Sequence, residues 1–267
     1  MGKSKKSKSS KKATPQVPAG MPAMAPPQGM PSGQAPPPGA PPPGEMPKLT
    51  KEQEQKLKEI KKKLEKFQKK VLEKFDNYVM GIALMPPPKP KEGEKPDPNK
   101  ISVLVLVDDS DSKKMAKQEL KKKLFTIIDK QAQEIDKNIF PEIIILSELW
   151  QNCYDQKYEI LQLVAMSAPV FDKGMLQAIK IAELHKNMVI KKFEKYIVSY
   201  VLAGSLIQGR ATKSSDIDVW IVIDDTDVKR MTRAELKDKL RAIIIGMGIE
   251  AGEMTGVKNK LNIQVYI

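Results

Sequence analysis

The stretch DIDVWIVIDDTDVKRMTRAELKDKLRAII at residues 216–244 has a counterpart, KISVLVLVDDSDSKKMAKQELKKKLFTII, at residues 100–128 of this 267-residue chain. Aligned without a gap, the two stretches are identical at 14 of 29 positions by direct count. Each joins a β-branched strand pattern to an amphipathic helix pattern. Two unrelated amphipathic segments would share the pattern but not so many side chains. We therefore predict a duplication, with two copies of one helix–strand–loop–strand–helix–strand unit and an α/β fold.

The rest of the chain divides by composition. Residues 1–48 hold 13 of the 21 prolines behind a block of lysine and serine, and this segment buries too little apolar surface to offset its ordering entropy. We expect a disordered Lys/Pro-rich tail there. A charged helix at 49–67 leads into a first domain at 68–185, and a second domain occupies 186–267.

A long helix is predicted for residues 51–75 because apolar residues recur there at steps of three and four between lysines and glutamates. The stripe consists of Leu57, Ile60, Leu64, Phe67, Val71 and Phe75. Two interpretations stay open at this point. The stripe is the seam of a short coiled coil, which would make it an oligomer contact, or the helix lies on its own domain.

Further elements follow from local pattern. ISVLVLV (101–107) and PEIIIL (141–146) are typical of buried strands. Residues 148–165 and 173–185 are predicted to form two helices separated by SAPVFDKG. His185 then falls at a helix end, where a capping or solvent-exposed role is expected.

The charge balance limits the partners. The formal net charge is +13, from 46 Lys and Arg against 33 Asp and Glu, and only four of the cations are arginines. Lysine-dominated charge suits loose contact with polyanions better than sequence-specific readout. The tail is accordingly a candidate for weak contact with nucleic acid, and polyanion binding through it is one alternative function; solubility alone explains the charge equally well.

Rare residue types exclude other classes. One cysteine, Cys153, rules out a disulfide framework, and a single histidine argues against a His-rich zinc site. No apolar run reaches the length of a membrane-spanning helix, and no secretory signal is present at the N-terminus. We expect a cytoplasmic protein with no membrane span. Trp150 and Trp220 are interpreted as core or domain-contact residues.

The residues that carry chemistry lie in AGSLIQGRATKSSDIDVWIVID (203–224). A predicted strand runs into a turn at Gly204 and Ser205, and a second strand carries Asp216 and Asp218 near its start. Alternation along a strand places these two carboxylates on one face, and such pairs are hard oxygen ligands suited to Mg²⁺. The glycine lets the backbone approach a phosphate closely, and the serine hydroxyl and following amides can donate to its oxygens.

Gly-Ser, ten residues, then Asp-x-Asp resembles the signature of the DNA polymerase beta-like nucleotidyltransferase superfamily, and the likeness is to its minimal prokaryotic members. Gly204, Ser205, Asp216 and Asp218 match it one for one. The resemblance covers about residues 187–267.

What the resemblance implies is a mixed sheet flanked by helices and two Mg²⁺ ions held by the two aspartates. It also implies transfer of a nucleoside monophosphate from a nucleoside triphosphate to a hydroxyl. Arg210 and Lys213 are candidates for steering the triphosphate. The acceptor, whether a protein side chain, an RNA end or a small molecule, is left open.

One departure from the family concerns its third carboxylate, which lies on the next core strand. That strand is KLNIQVYI here, and Asn262 and Gln264 are its alternating polar residues. An amide oxygen can coordinate a metal, but an amide has no negative charge and cannot act as a base. The alternative function is therefore a catalytically inactive nucleotide-binding or scaffold protein.

The first copy departs further. Pro86 and Pro87 replace the Gly-Ser pair, and Lys100 and Ser102 replace the two aspartates, so we predict a degenerate nucleotidyltransferase-like domain. After its last strand the first copy continues as helix, whereas the second ends within LNIQVYI. We expect the second domain to be truncated there, and the terminal strand is a second candidate oligomer contact.

Overall fold

The structure is a computed structural model that describes residues 51–87, 99–112, 115–226 and 231–267. The chain divides into two units, Met1–Lys48 and Leu49–Ile267, and every described residue belongs to the second. The disordered tail predicted for residues 1–48, and the contact with nucleic acid predicted for it, lie outside the described residues.

Six helices and seven strands are found in the described part of the chain. In order they are α1 (Lys51–Phe75), β1 (Val79–Leu84), β2 (Ile101–Val107), α2 (Lys117–Gln133), β3 (Ile139–Ile145), α3 (Leu146–Tyr154), α4 (Glu159–Met166), β4 (Ala168–Asp172), α5 (Met175–Phe193), β5 (Ile197–Ala203), β6 (Ile217–Ile223), α6 (Arg233–Thr255) and β7 (Leu261–Tyr266). None of these helices is both long and apolar enough to cross a membrane.

The strands form two mixed sheets flanked by helices, so the predicted α/β fold with mixed sheets is confirmed. The first sheet has the order β3-β2-β1-β4, in which β1 is antiparallel to β2 and to β4 while β2 and β3 are parallel. The second sheet has the order β5-β6-β7, with β5 antiparallel to β6 and β6 parallel to β7.

The two sheets share their connectivity and their irregularities. In both antiparallel pairs, β1–β2 and β5–β6, the register shifts once near the start of the first strand. Asp108 N donates to Tyr78 O, and Asp224 N donates to Tyr196 O, each at 2.8 Å. The structure thus repeats one β–β–α–β unit. Its origin by gene duplication stays a prediction.

Helix α1 packs on the first sheet over part of its length. Leu64, Phe67 and Val71 are buried in the core under the first sheet, whereas Leu57, nearer the N-terminus, is 47% exposed. Lys70 Nζ donates to Glu134 at the end of α2 at 2.8 Å. The C-terminal half of the stripe therefore packs on the first sheet, and among the described residues of the stripe the earlier part is open to another contact.

The faces of the two sheets are covered differently. One face of the first sheet packs on α1 and α2, and the other face, with Leu104 and Leu106 fully buried, packs in a second core with α3, α4 and α5. The second sheet buries one face in that same core, which α5 and α6 complete. On its other face Trp220 and Tyr266 are exposed.

The helix predicted for residues 148–165 is wrong as a single element, because the structure has α3 and α4 instead. Gln156 adopts a left-handed φ of 60°. Gln156 N donates to Cys153 O, and Lys157 N donates to Asn152 O at 2.8 Å. These two bonds are those of a Schellman helix end. The stop signal was missed because glycine usually occupies this left-handed position and here it is glutamine.

The separator predicted at SAPVFDKG contains a strand, β4, that pairs with β1. Pro169 in this strand cannot donate to a strand ladder. A proline is tolerated on an edge strand, and β4 is the edge of its sheet.

Candidate functional site

The Gly-Ser turn begins where β5 ends. Gly204 has a φ of +71°, and Arg210 N donates to Ser205 O at 2.8 Å, which closes the turn. Leu206 is fully buried in the core and anchors it. The predicted sequence of strand, turn and strand is therefore present, with the serine on a short turn fixed to the scaffold.

The two aspartates flank the first residue of β6. Ile217 is fully buried, so by alternation Asp216 and Asp218 lie on the opposite, open face. Asp216 is exposed and Asp218 is half-buried. The register pairs Ala203 with Asp218, which brings the end of β5 beside the second carboxylate.

Gly204 and Asp218 are in direct contact. A Cβ on residue 204 would overlap Asp218 Oδ2 and would lie 3.1 Å from its Cγ. A side chain is disfavoured here for two reasons, the left-handed backbone and the close approach of the carboxylate. The structure thus brings together the turn and at least one of the two predicted carboxylates.

Of the two polar residues that alternate along β7, Asn262 is the one that contacts the site. In the parallel pair β6–β7 Asn262 lies opposite Asp218, and its Nδ2 donates to Asp218 Oδ1 at 2.8 Å. Gln264 lies two residues further along β7, opposite Trp220. The amide partner therefore contacts the site, and it supplies neither negative charge nor a base.

The two predicted cations, Arg210 and Lys213, do not contact the aspartates. The Arg210 guanidinium donates to Gln208 Oε1 within the Gly-Ser turn, and its side chain is exposed. Lys213 is exposed in the loop that leads to Asp216. No contact joins either cation to the aspartates in this structure, so their role in steering a triphosphate stays a prediction.

A buried residue that the sequence did not single out fixes that loop. Asn259 is 4% exposed, and its Nδ2 donates to Thr212 O at 2.9 Å and to Ser215 O at 2.7 Å. These bonds tie the segment before Asp216 to the segment before β7. Asn259 in KNKLN carries no local signal for this role, because its partners lie more than forty residues away.

The oxygen atoms of Asp216, Asp218 and Asn262 are suited to a cation that binds together with a nucleotide. In the described residues no group of three or more His, Cys, Asp or Glu side chains could hold a metal ion. Two carboxylates and one amide oxygen remain at the site. Mg²⁺ is commonly held by one or two carboxylates together with water and substrate phosphates, so the residues present fit one nucleotide-borne ion.

Two interpretations of single residues are wrong. Helix α5 continues to Phe193, and His185 within it is fully buried, with Nδ1 2.9 Å from Tyr200 Oη and Nε2 3.1 Å from Ile244 O. Because a carbonyl only accepts, Nε2 carries the proton. Burial lowers the pKa of His185. Trp220 is 45% exposed and lies in neither core of the described residues, so its interpretation as a core residue is wrong, while a domain contact stays a prediction.

Residues 184–255 match a family model described as a nucleotidyltransferase domain. The matched segment contains Gly204, Ser205, Asp216 and Asp218 and ends at the last residue of α6. The chain matches none of the curated proteins and none of the solved structures with which it was compared.

Proposed function

We propose that the second half of the chain, residues 186–267, is a nucleotidyltransferase domain. It would move a nucleoside monophosphate from a nucleoside triphosphate onto a hydroxyl acceptor. Residues 68–185 form its degenerate counterpart, preceded by the charged helix at 49–67. The observation that carries the proposal is the contact between Gly204 and Asp218 within a segment that matches the nucleotidyltransferase model.

Each site residue has a task in this proposal. The backbone at Gly204 and the Ser205 hydroxyl bind phosphate oxygens, because a left-handed glycine turn presents amides without a side chain in the way. Arg210 and Lys213 add positive charge along the approach. Asp216 and Asp218 would hold Mg²⁺, which would neutralise charge on the phosphates; the second ion that the resemblance implies stays a prediction. Asn262 orients Asp218 through its hydrogen bond.

The reaction is an in-line displacement. The acceptor oxygen forms a bond to the α-phosphorus, the bond from that phosphorus to the bridging oxygen breaks, and pyrophosphate leaves. The turn that follows β5 holds the leaving group, so the acceptor approaches from the opposite side, over β6 and β7. Without a carboxylate on β7, the acceptor proton passes to solvent or to a group on the acceptor itself.

The transfer test uses the chain with four labelled nucleoside triphosphates, Mg²⁺ or Mn²⁺, and separated protein, RNA and small-molecule acceptor fractions. We expect label in one fraction, and a loss of at least about a hundredfold in the double variant Asp216→Ala, Asp218→Ala. Asp238→Ala, an exposed carboxylate on α6, is the matched control and should transfer as the parent does. Equal incorporation by parent and double variant discards the proposal.

The hydrogen bond from Asn262 favours a second candidate function, nucleotide binding without turnover. The variant Asn262→Asp separates the two candidates because it supplies a third carboxylate at an exposed position. If the parent binds nucleotide but transfers slowly, we expect Asn262→Asp to raise the transfer rate, as measured by pyrophosphate release, while Asn262→Ala does not. Binding without turnover in both the parent and Asn262→Asp would establish the binding protein instead.

A further inference from the structure

A cavity that the proposed function does not use lies beside β5. It has a volume of about 600 Å³ and is walled by α3, α4 and α5 on one side and by Tyr200, Val201 and Leu202 of β5 on the other. Ile207 of the Gly-Ser turn closes one end. Its walls are mainly aromatic and aliphatic, with Trp150 and Tyr158 among them.

The same place in the first sheet is filled by a strand. Counting along the repeat, Tyr200, Val201 and Leu202 correspond to Ile82, Ala83 and Leu84 of β1. Those three residues pair with Phe171, Pro169 and Ala168 of β4. In the described part of the chain no strand lies beyond β5. The cavity therefore occupies the position that β4 fills in the first sheet.

The backbone of β5 is oriented to accept a strand. Met85 N donates to Ser102 O on the β2 side, and Met80 O accepts from Lys173 N on the β4 side. Alternate residues of an antiparallel strand direct both polar groups to the same neighbour, so even-numbered residues of β1 face β4. By the repeat, Tyr200 and Leu202 direct their N–H and C=O groups into the cavity.

The volume of the cavity and the charges in its wall indicate which kind of ligand it can bind. A strand occupies about 3.4 Å along its axis, about 4.8 Å across and about 10 Å through the sheet, so 600 Å³ corresponds to about four residues. The charged groups in the wall, Glu183 and Lys186, already neutralise each other at 2.7 Å. The cavity accordingly suits about four residues of an extended peptide whose side chains at those positions are apolar, as in the APVF part of β4.

We propose that the edge of β5 is a docking site for an extended apolar peptide of a partner protein, which pairs antiparallel as β4 pairs with β1. Unpaired strand edges bind peptides in this way through main-chain hydrogen bonds, and side-chain pockets give specificity. This site is separate from nucleotidyl transfer. Because β5 runs directly into Gly204, a bound peptide holds the strand that carries the Gly-Ser turn.

The test titrates the full chain with a blocked peptide of residues 167–173, SAPVFDK, followed by amide NMR and calorimetry. We expect saturable binding with shifts at the amides of Tyr200 and Leu202. In the β4 register the Phe171 position faces the paired strand and the Asp172 position faces away. N-methylation at the Phe171 position should weaken binding about tenfold or more, and N-methylation at the Asp172 position should change it less than about twofold.

Three results overturn the proposal. The first is no saturable binding, and the second is equal weakening by the two methylated peptides, which indicates side-chain binding alone. The third is shifts at Ile82 and Leu84 instead, which indicates exchange with β4.

Protein variants sharpen the test. Leu202→Pro removes one inward donor and should abolish binding. Tyr158→Ala removes a wall residue that is 41% exposed, keeps the fold and should weaken binding about tenfold or more. Unchanged affinity in folded Leu202→Pro or in Tyr158→Ala counts against the proposed docking site.

Discussion

The two sheets repeat one topology but differ in what covers them and in what they carry. In the first sheet the face that includes Leu104 and Leu106 is buried under α3, α4 and α5, and the loop positions are Pro86 and Pro87. In the second sheet the equivalent face is open, and it carries Asp218 and the exposed Trp220. The comparison teaches that the scaffold does not depend on the site residues, since the same register forms with and without them.

The largest expected difference between the two sheets is in the free energy of unfolding after truncation at equivalent positions, one buried and one exposed. Leu104 and Trp220 occupy the same place in the repeat, but the first is fully buried and the second is 45% exposed. We expect Leu104→Ala to lower the free energy of unfolding by about 2–5 kcal/mol, because it leaves a cavity in the core. Trp220→Ala should lower it by about 1 kcal/mol or less. Urea denaturation measures both, and similar losses would contradict the open face.

The second effect concerns the glycine that only the second half has at this turn. Gly204→Ala should lower the free energy of unfolding by about 1–3 kcal/mol, because the residue is left-handed and its Cβ would overlap Asp218. Gly246→Ala is the matched control, since a Cβ at that helical position meets nothing within 4 Å. It should stabilise the protein by about 0.5–1 kcal/mol. A harmless Gly204→Ala would show that turn and carboxylate are not in contact.

A smaller effect on stability is expected from pH, through His185 in α5, the helix that packs against the second sheet. Burial lowers the pKa of His185, so the unfolded chain binds a proton more readily than the folded protein. Stability is therefore full above the unfolded pKa of about 6.5 and is lost as pH falls through the folded value. Thermal unfolding between neutral and mildly acidic pH should show this slope in the parent and a reduced slope in His185→Gln. An unchanged slope would place the titrating group elsewhere.

Much of the local structure could be predicted from the sequence because the signals are local. The stripe of α1, the apolar run of β2 and the alternation around Ile217 depend only on spacing along the chain. The absence of a carboxylate from β7 also follows from the sequence alone. The structure adds that Asn262 donates a hydrogen bond to Asp218.

The errors share a physical cause, since each depends on contacts distant in sequence or on an uncommon residue at a standard position. Trp220 is exposed because nothing described covers its sheet face, and neighbouring residues do not encode that. The end of α3 uses Gln156 where glycine is usual. Strand β4 is short and contains a proline, and only its pairing with β1 identifies it.

Equilibrium binding of each of the four nucleoside triphosphates in the presence of Mg²⁺ tests most directly whether the second half holds a nucleotide site. Calorimetry of the parent should show one site for at least one of them, and the double variant Asp216→Ala, Asp218→Ala should bind that nucleotide at least about tenfold more weakly, while Asp238→Ala binds it as the parent does. Binding that is equally tight in the parent and the double variant, or absent from the parent, would contradict the account.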